Sequence, residues 1–178
     1  ELFRWLNRYL DTMTQCIMDR GGVVDKYIGD AIMAIFGVPF PHTSDEEIRQ
    51  DALNAISASL AMHERLKQLN EDLKAEGKPL IHIGIGVHTG PLMAGSLGGA
   101  RRLNYSVVGD TVNVAARLES MNKQVHADGC YNILISEETF RLTRDRYRAK
   151  QAGEIQLRGR EQATTIYLIS QQQGENHE

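Results

Sequence analysis

Apolar residues recur at helical spacing from the start of the chain: Leu2, Phe3, Leu6, Tyr9, Leu10, Met13 and Ile17, a run closed by Gly21-Gly22. The spacing predicts an amphipathic first helix. No Ser, Thr, Asp or Asn cap precedes it, so an earlier element is expected in front of Glu1. Two β-rich runs, Val23 to Ile28 and Ala31 to Phe36, flank Gly29-Asp30 and predict a tight hairpin. Ser44 stands three residues before Glu47 in a capping-box arrangement. Ile48, Ala52, Ile56, Leu60, Leu66, Leu69 and Leu73 then mark a long helix ending near Gly77.

From Leu80 to His88 the pattern changes to alternation. Ile81, Ile83, Ile85 and Val87 take one face of a predicted strand, and His82, Gly84, Gly86 and His88 the other. Glycines at alternate positions leave room for a backbone or a ligand to approach. Thr89-Gly90-Pro91 is expected to turn this strand into a hairpin partner, Leu92 to Leu97. Further strands are predicted at 103–108, 132–135, 146–150, 154–157 and 164–169, and helices at 111–123 and 136–142. A polar tail from Gln171 to Glu178 is expected to fray. Strands and helices intermixed with several hairpins predict an α+β fold around a mainly antiparallel sheet.

Composition narrows the function classes. At 178 residues with 42% hydrophobic content, the chain is long enough for one cored domain and too apolar for disorder. A net charge of -3 excludes a broad nucleic-acid surface. No apolar run approaches the roughly 20 residues of a membrane helix. Cys16 and Cys130 lie far apart without ligand spacing, so neither a disulfide framework nor a zinc site is indicated, and a reducing, cytoplasmic setting is expected.

Several polar residues invite a chemical reading. Lys26 and Asp30 flank the first hairpin's tip, where a carboxylate suits a hard cation such as Mg²⁺; a plain Gly-Asp turn beside a solvated lysine fits equally. Asp110, Asn113 and Arg117 share one face of the helix after Gly109, while Val114, Leu118 and Met121 share another. A carboxamide and a guanidinium on one face can hold a sugar and an anion; Asp110 as an N-cap beside a solvated face is the simpler account. Ser106 lies on the opposite side of its strand from Tyr105 and Val107. His63 fits a core boundary, and His82 with His88 lack a third metal ligand. Gly84 to Gly90 misses the spacing of a dinucleotide loop. Seven basic residues between Arg141 and Arg160 form a local excess suited to polyphosphate, a partner domain or solubility.

Taken in order, Gly21 to Gly37 (with Lys26-Tyr27-Ile28-Gly29-Asp30), Ile83 to Gly95, and Tyr105 to Glu119 (with Gly109-Asp110-Thr111-Val112-Asn113) closely resemble the catalytic domains of class III nucleotidyl cyclases. The resemblance runs to about residue 170 and is greatest to bacterial-type adenylyl cyclases. It implies a palm-like, ferredoxin-like sheet and a homodimer binding ATP between its chains, with two Mg²⁺ or Mn²⁺ ions. By position it implies Asp30 as a metal ligand, Lys26 and Ser106, with Val107 beside it, as the purine-reading site, Asn113 on the ribose and Arg117 on the transition state. Arg158 or Arg160 is implied for the terminal phosphates. Guanylyl members resemble this pattern but carry Glu and Cys or another small residue at the two purine positions, so adenylyl activity is the expectation. Ser106 departs from the Thr usual in the most similar subgroup, keeping the hydroxyl. Attached sensory domains and bicarbonate stimulation are further implications. The family's opening strand, with the second metal aspartate, has no counterpart here, and the domain is expected to start one strand before Glu1. A non-catalytic, cyclase-like dimerisation or nucleotide-binding module is the alternative, with guanylyl cyclase behind it. Diguanylate cyclase ranks lower for want of its Gly-Gly-Asp/Glu-Glu-Phe signature.

Overall fold

Helix α1 (Leu2–Met18) leads into strands β1 (Val23–Ile28) and β2 (Ala31–Ile35) and the long helix α2 (Asp45–Ala75). The structure, a computed structural model, describes residues 2–99, 102–125, 132–157 and 163–172. The chain divides into two units, Glu1–Ile83 and Gly84–Glu178.

In the first unit α1 buries Tyr9, Met13, Cys16 and Ile17, and α2 buries Ile56, Met62, Leu66, Leu69 and Leu73. Both helices end in the same way. Gly22 N–H reaches Ile17 O and Gly21 N–H reaches Met18 O, while Lys78 and Gly77 repeat the pattern on Leu73 and Lys74, so orphan carbonyls at each helix end are satisfied. The expected capping box is present: Ser44 Oγ accepts from Glu47 N–H at 3.3 Å and Glu47 Oε2 accepts from Ser44 N–H at 3.1 Å. Arg8 joins the helices by donating to Asp72 at 2.6 Å and to Glu76 at 2.7 Å, part-exposed pairs that contribute little singly. In the loop before α2, His42 Nδ1 lies 2.6 Å from Asp51 Oδ2, and this hydrogen bond raises the histidine's pKa above its ordinary value.

The hairpin β1–β2 forms as expected, with Gly29 at φ +65° in its turn. The register slips between Val24 and Lys26, a bulge that the residue pattern did not announce. The strand expected from Leu80 starts only at Gly84. The reason is local: Asn70 Nδ2 donates to Ile81 O and its Oδ1 accepts from Ile81 N–H, both at 2.8 Å, occupying the backbone groups a ladder would use.

The second unit contains β3 (Gly84–Val87), β4 (Met93–Gly99), β5 (Arg102–Val108), α3 (Asp110–Val125), β6 (Asn132–Ser136), α4 (Glu137–Thr143), β7 (Tyr147–Ile155) and β8 (Thr164–Gln172). Four strands form a sheet in the order β3-β6-β8-β7. The β3–β6 pair is parallel and the other two pairs antiparallel. Strand β6 is buried at every position, as its Ile133-Leu134-Ile135 run requires of an interior strand. Val114 and Leu118 of α3 pack with Leu134, Ile155, Leu157, Ile166 and Leu168 in one core. The class is α+β, as expected.

Three expectations are corrected. Residues 92–97 do not pair with β3; β4 pairs with β5, while β3 pairs with β6. The separate strands at 146–150 and 154–157 are one strand, β7, whose irregularity between Gln151 and Gly153 leaves Ala152 out of the register while Gly153 stays paired with Ile166. Strand β8 runs two residues into the segment expected to fray, to Gln172, and residues 173–178 lie outside the described ones.

Candidate active site

The β1–β2 hairpin presents Lys26 and Asp30. The bulge turns the Asp25 side chain inward, to 3% exposure, and leaves Lys26 47% exposed with its Nζ 3.2 Å from Asp25 Oδ2. Asp25 thus limits the lysine's freedom, a role that simple strand alternation could not reveal. Asp30 is exposed at the turn.

The other residues singled out by sequence belong to the second unit. Ser106 is half-buried on β5 and its neighbour Val107 is buried. Opposite Ser106 in the ladder stands Gly95, where an added Cβ would meet nothing within 4 Å. The strand pair therefore carries no side chain opposite Ser106, a feature visible only once the β4–β5 register is known.

Gly109 joins this strand to α3, and Asp110 is the helix's first residue rather than its cap. Asn113 and Arg117 are exposed, while Val114 and Leu118, on the other face, are buried, as the periodicity requires. The structure thus places Ser106, Asn113 and Arg117 on consecutive elements of one unit, and Lys26 and Asp30 on one hairpin of the other. Arg158 and Arg160 lie outside the described residues.

The glycine-lined face of β3 is filled by helix α3, by its backbone at Gly86 and by the Asn122 side chain at Gly84. A Cβ on Gly86 would lie 2.4 Å from Glu119 N and 2.5 Å from Ala115 O, and one on Gly84 would lie 2.6 Å from Asn122 Cβ. Helix α3 therefore sits flush on the strand.

His88 Nδ1 meets Ser136 Oγ at 2.8 Å, with Glu138 at 3.8 Å, and His82 is exposed. Burial, with Lys67 nearby, pushes the His63 pKa down to about 4, keeping it neutral. Within the basic stretch Arg141 pairs with Glu137 at 2.6 Å. Among the described residues no cluster of three His, Cys, Asp or Glu can hold a metal, and no helix is long and apolar enough to cross a membrane. Asp30 alone at its turn fits a Mg²⁺-type ion, which takes one or two carboxylates and fills its other positions with phosphate oxygens and water.

Residues 1–171 match the adenylate and guanylate cyclase catalytic domain. The chain belongs to this cyclase family. The cyclase domain is 36% identical over 176 residues to an adenylate cyclase of Anabaena cylindrica, covering 95% of this chain and 32% of that protein. It is 32% identical to adenylate cyclase 1 of Rhizobium meliloti, covering 95% and 24%. The chain thus spans a third or less of the length of these relatives. Among solved structures it is similar to the adenylyl cyclase CyaB from P. aeruginosa, with TM-score 0.80 and 33% identity over 95% of this chain and 82% of that one. The guanylyl cyclase Cya2 is similar at TM-score 0.81 and 28% identity over 98% and 82%. An adenylyl cyclase and a guanylyl cyclase therefore both share this backbone.

Proposed function

We propose that the protein is an adenylyl cyclase that converts ATP to 3′,5′-cyclic AMP and pyrophosphate, acting in the cytoplasm as a homodimer whose two sites draw on both chains. The observation that carries this reading is Asn113 and Arg117 exposed on one face of α3, directly after the strand that sets Ser106 opposite Gly95. In the reaction the ribose 3′-oxygen forms a bond to the α-phosphorus, the bond from that phosphorus to the bridging oxygen of the β-phosphate breaks, and the hydroxyl proton passes to solvent. Lys26 donates to an acceptor ring nitrogen of adenine and Ser106 accepts from the exocyclic amine. The Asn113 carboxamide orients the ribose. The Arg117 guanidinium, fixed in charge, stabilises the negative charge that grows on the α-phosphate oxygens. Asp30 would hold the divalent ions, Mg²⁺ or Mn²⁺, which supply charge neutralisation at the phosphates.

The test is cyclisation by the purified full-length protein with ATP or GTP, each with Mg²⁺ or Mn²⁺. Cyclic AMP from ATP is expected, and Arg117→Ala is expected to lower kcat by about 10²–10³-fold while KM stays within a few-fold. A folded dimer that makes no cyclic product is instead a nucleotide-binding or dimerisation module, and faster turnover of GTP makes it a guanylyl cyclase.

A further inference from the structure

Asn113 and Arg117 can meet a nucleotide only if α3 has the right height and rotation, and three contacts fix both. At the start of the helix Thr111 Oγ1 donates to Pro91 O at 2.5 Å, tying the first turn to the chain that leaves β3. In the middle Gly86 lets the helix backbone at Ala115 and Glu119 come closer than any side chain would permit. Toward the end Asn122, buried against Gly84, donates through Nδ2 to Ile85 O at 3.2 Å. The contacts at Thr111 and Gly86 bracket Asn113 and lie within a turn or so of Arg117 on the helix's opposite side.

We infer that Gly86 and Thr111 are positioning residues for cyclisation, acting through Arg117 and Asn113 by setting the seat of α3. The inference rests on the adenylyl cyclase reading. A methyl group at Gly86 meets backbone nitrogen and oxygen, not the end of a pliable side chain, so the whole helix must lift. A displacement on the order of 1 Å at a reacting group costs about 10²-fold in rate, while groups that hold the base elsewhere lose little.

The experiment measures kcat and KM for ATP in the full-length wild type, Gly86→Ala, Thr111→Val and Thr111→Ser, with circular dichroism and dimer mass as checks of folding. Gly86→Ala is expected to lower kcat by about 10- to 100-fold with KM changed less than about threefold. Thr111→Val, a gentler change that keeps its volume, is expected to lower kcat severalfold, and Thr111→Ser to restore it. The decisive comparison repeats Gly86→Ala in an Arg117→Ala background. If Gly86 acts through Arg117, most of its effect vanishes there. Additive losses, or unchanged kcat in both Gly86→Ala and Thr111→Val, overturn the inference while leaving the cyclase reading intact. If Gly86→Ala does not fold, the Thr111 pair and its own cycle with Arg117→Ala decide. A wild type that forms no cyclic nucleotide overturns the functional reading, and this inference with it.

Discussion

At the scale of the residue, the proposed choice of base rests on two side chains, Lys26 and Ser106. Lys26 donates only, and the Ser106 hydroxyl can donate or accept; together they match the acceptor ring nitrogen and donor amine of adenine. Guanine presents the reverse pattern at those edges. The double substitution Lys26→Glu with Ser106→Cys is therefore expected to move the ratio of kcat/KM toward GTP, measured as competition between the two nucleotides. An unchanged ratio removes both residues from the purine site. Lys26 is also a residue whose setting the sequence half concealed. Its identity and place near a turn were plain, but the bulge that buries Asp25 beside it depends on pairing with β2, which no local pattern records.

At the scale of the element, helices were more legible than sheet pairings. The α2 capping box could be read from Ser44 and Glu47 because every atom involved lies within one turn. Ser44→Ala is expected to lower Tm by about 2–4 °C, the usual effect of losing a cap in a domain of this size, seen by thermal melting. Strand partners depend instead on distant residues. Alternation over Leu80 to His88 is real, yet Asn70, in helix α2, claims the backbone of Ile81 and shortens the strand. Alternate glycines in β3 correctly signalled a close approach, but whether ligand or helix would approach depended on the packing of α3. The same holds for the candidate site. Periodicity placed Asn113 and Arg117 on one helix face, whereas the place of Gly95 opposite Ser106 required the β4–β5 register.

At the scale of the whole molecule, Asp30 and Arg117 belong to different units of one chain, and the proposed dimer uses them in different sites. Asp30→Ala and Arg117→Ala chains, each inactive alone, are expected to recover roughly one quarter of wild-type activity when mixed and allowed to exchange, since half the dimers are then mixed and each has one intact site. No recovery from chains shown to form mixed dimers refutes that division of labour. The parallel pairing of β3 with β6 has a further consequence, for the way the second unit is built in time. Hairpins such as β4–β5 join neighbours in sequence and can close within microseconds. Strands β3 and β6 are separated by β4, β5 and α3, so their meeting closes a long loop and belongs to the slow events of folding. The glycines that seat α3 lie on that late-pairing strand, so α3 reaches its final place only when the sheet does.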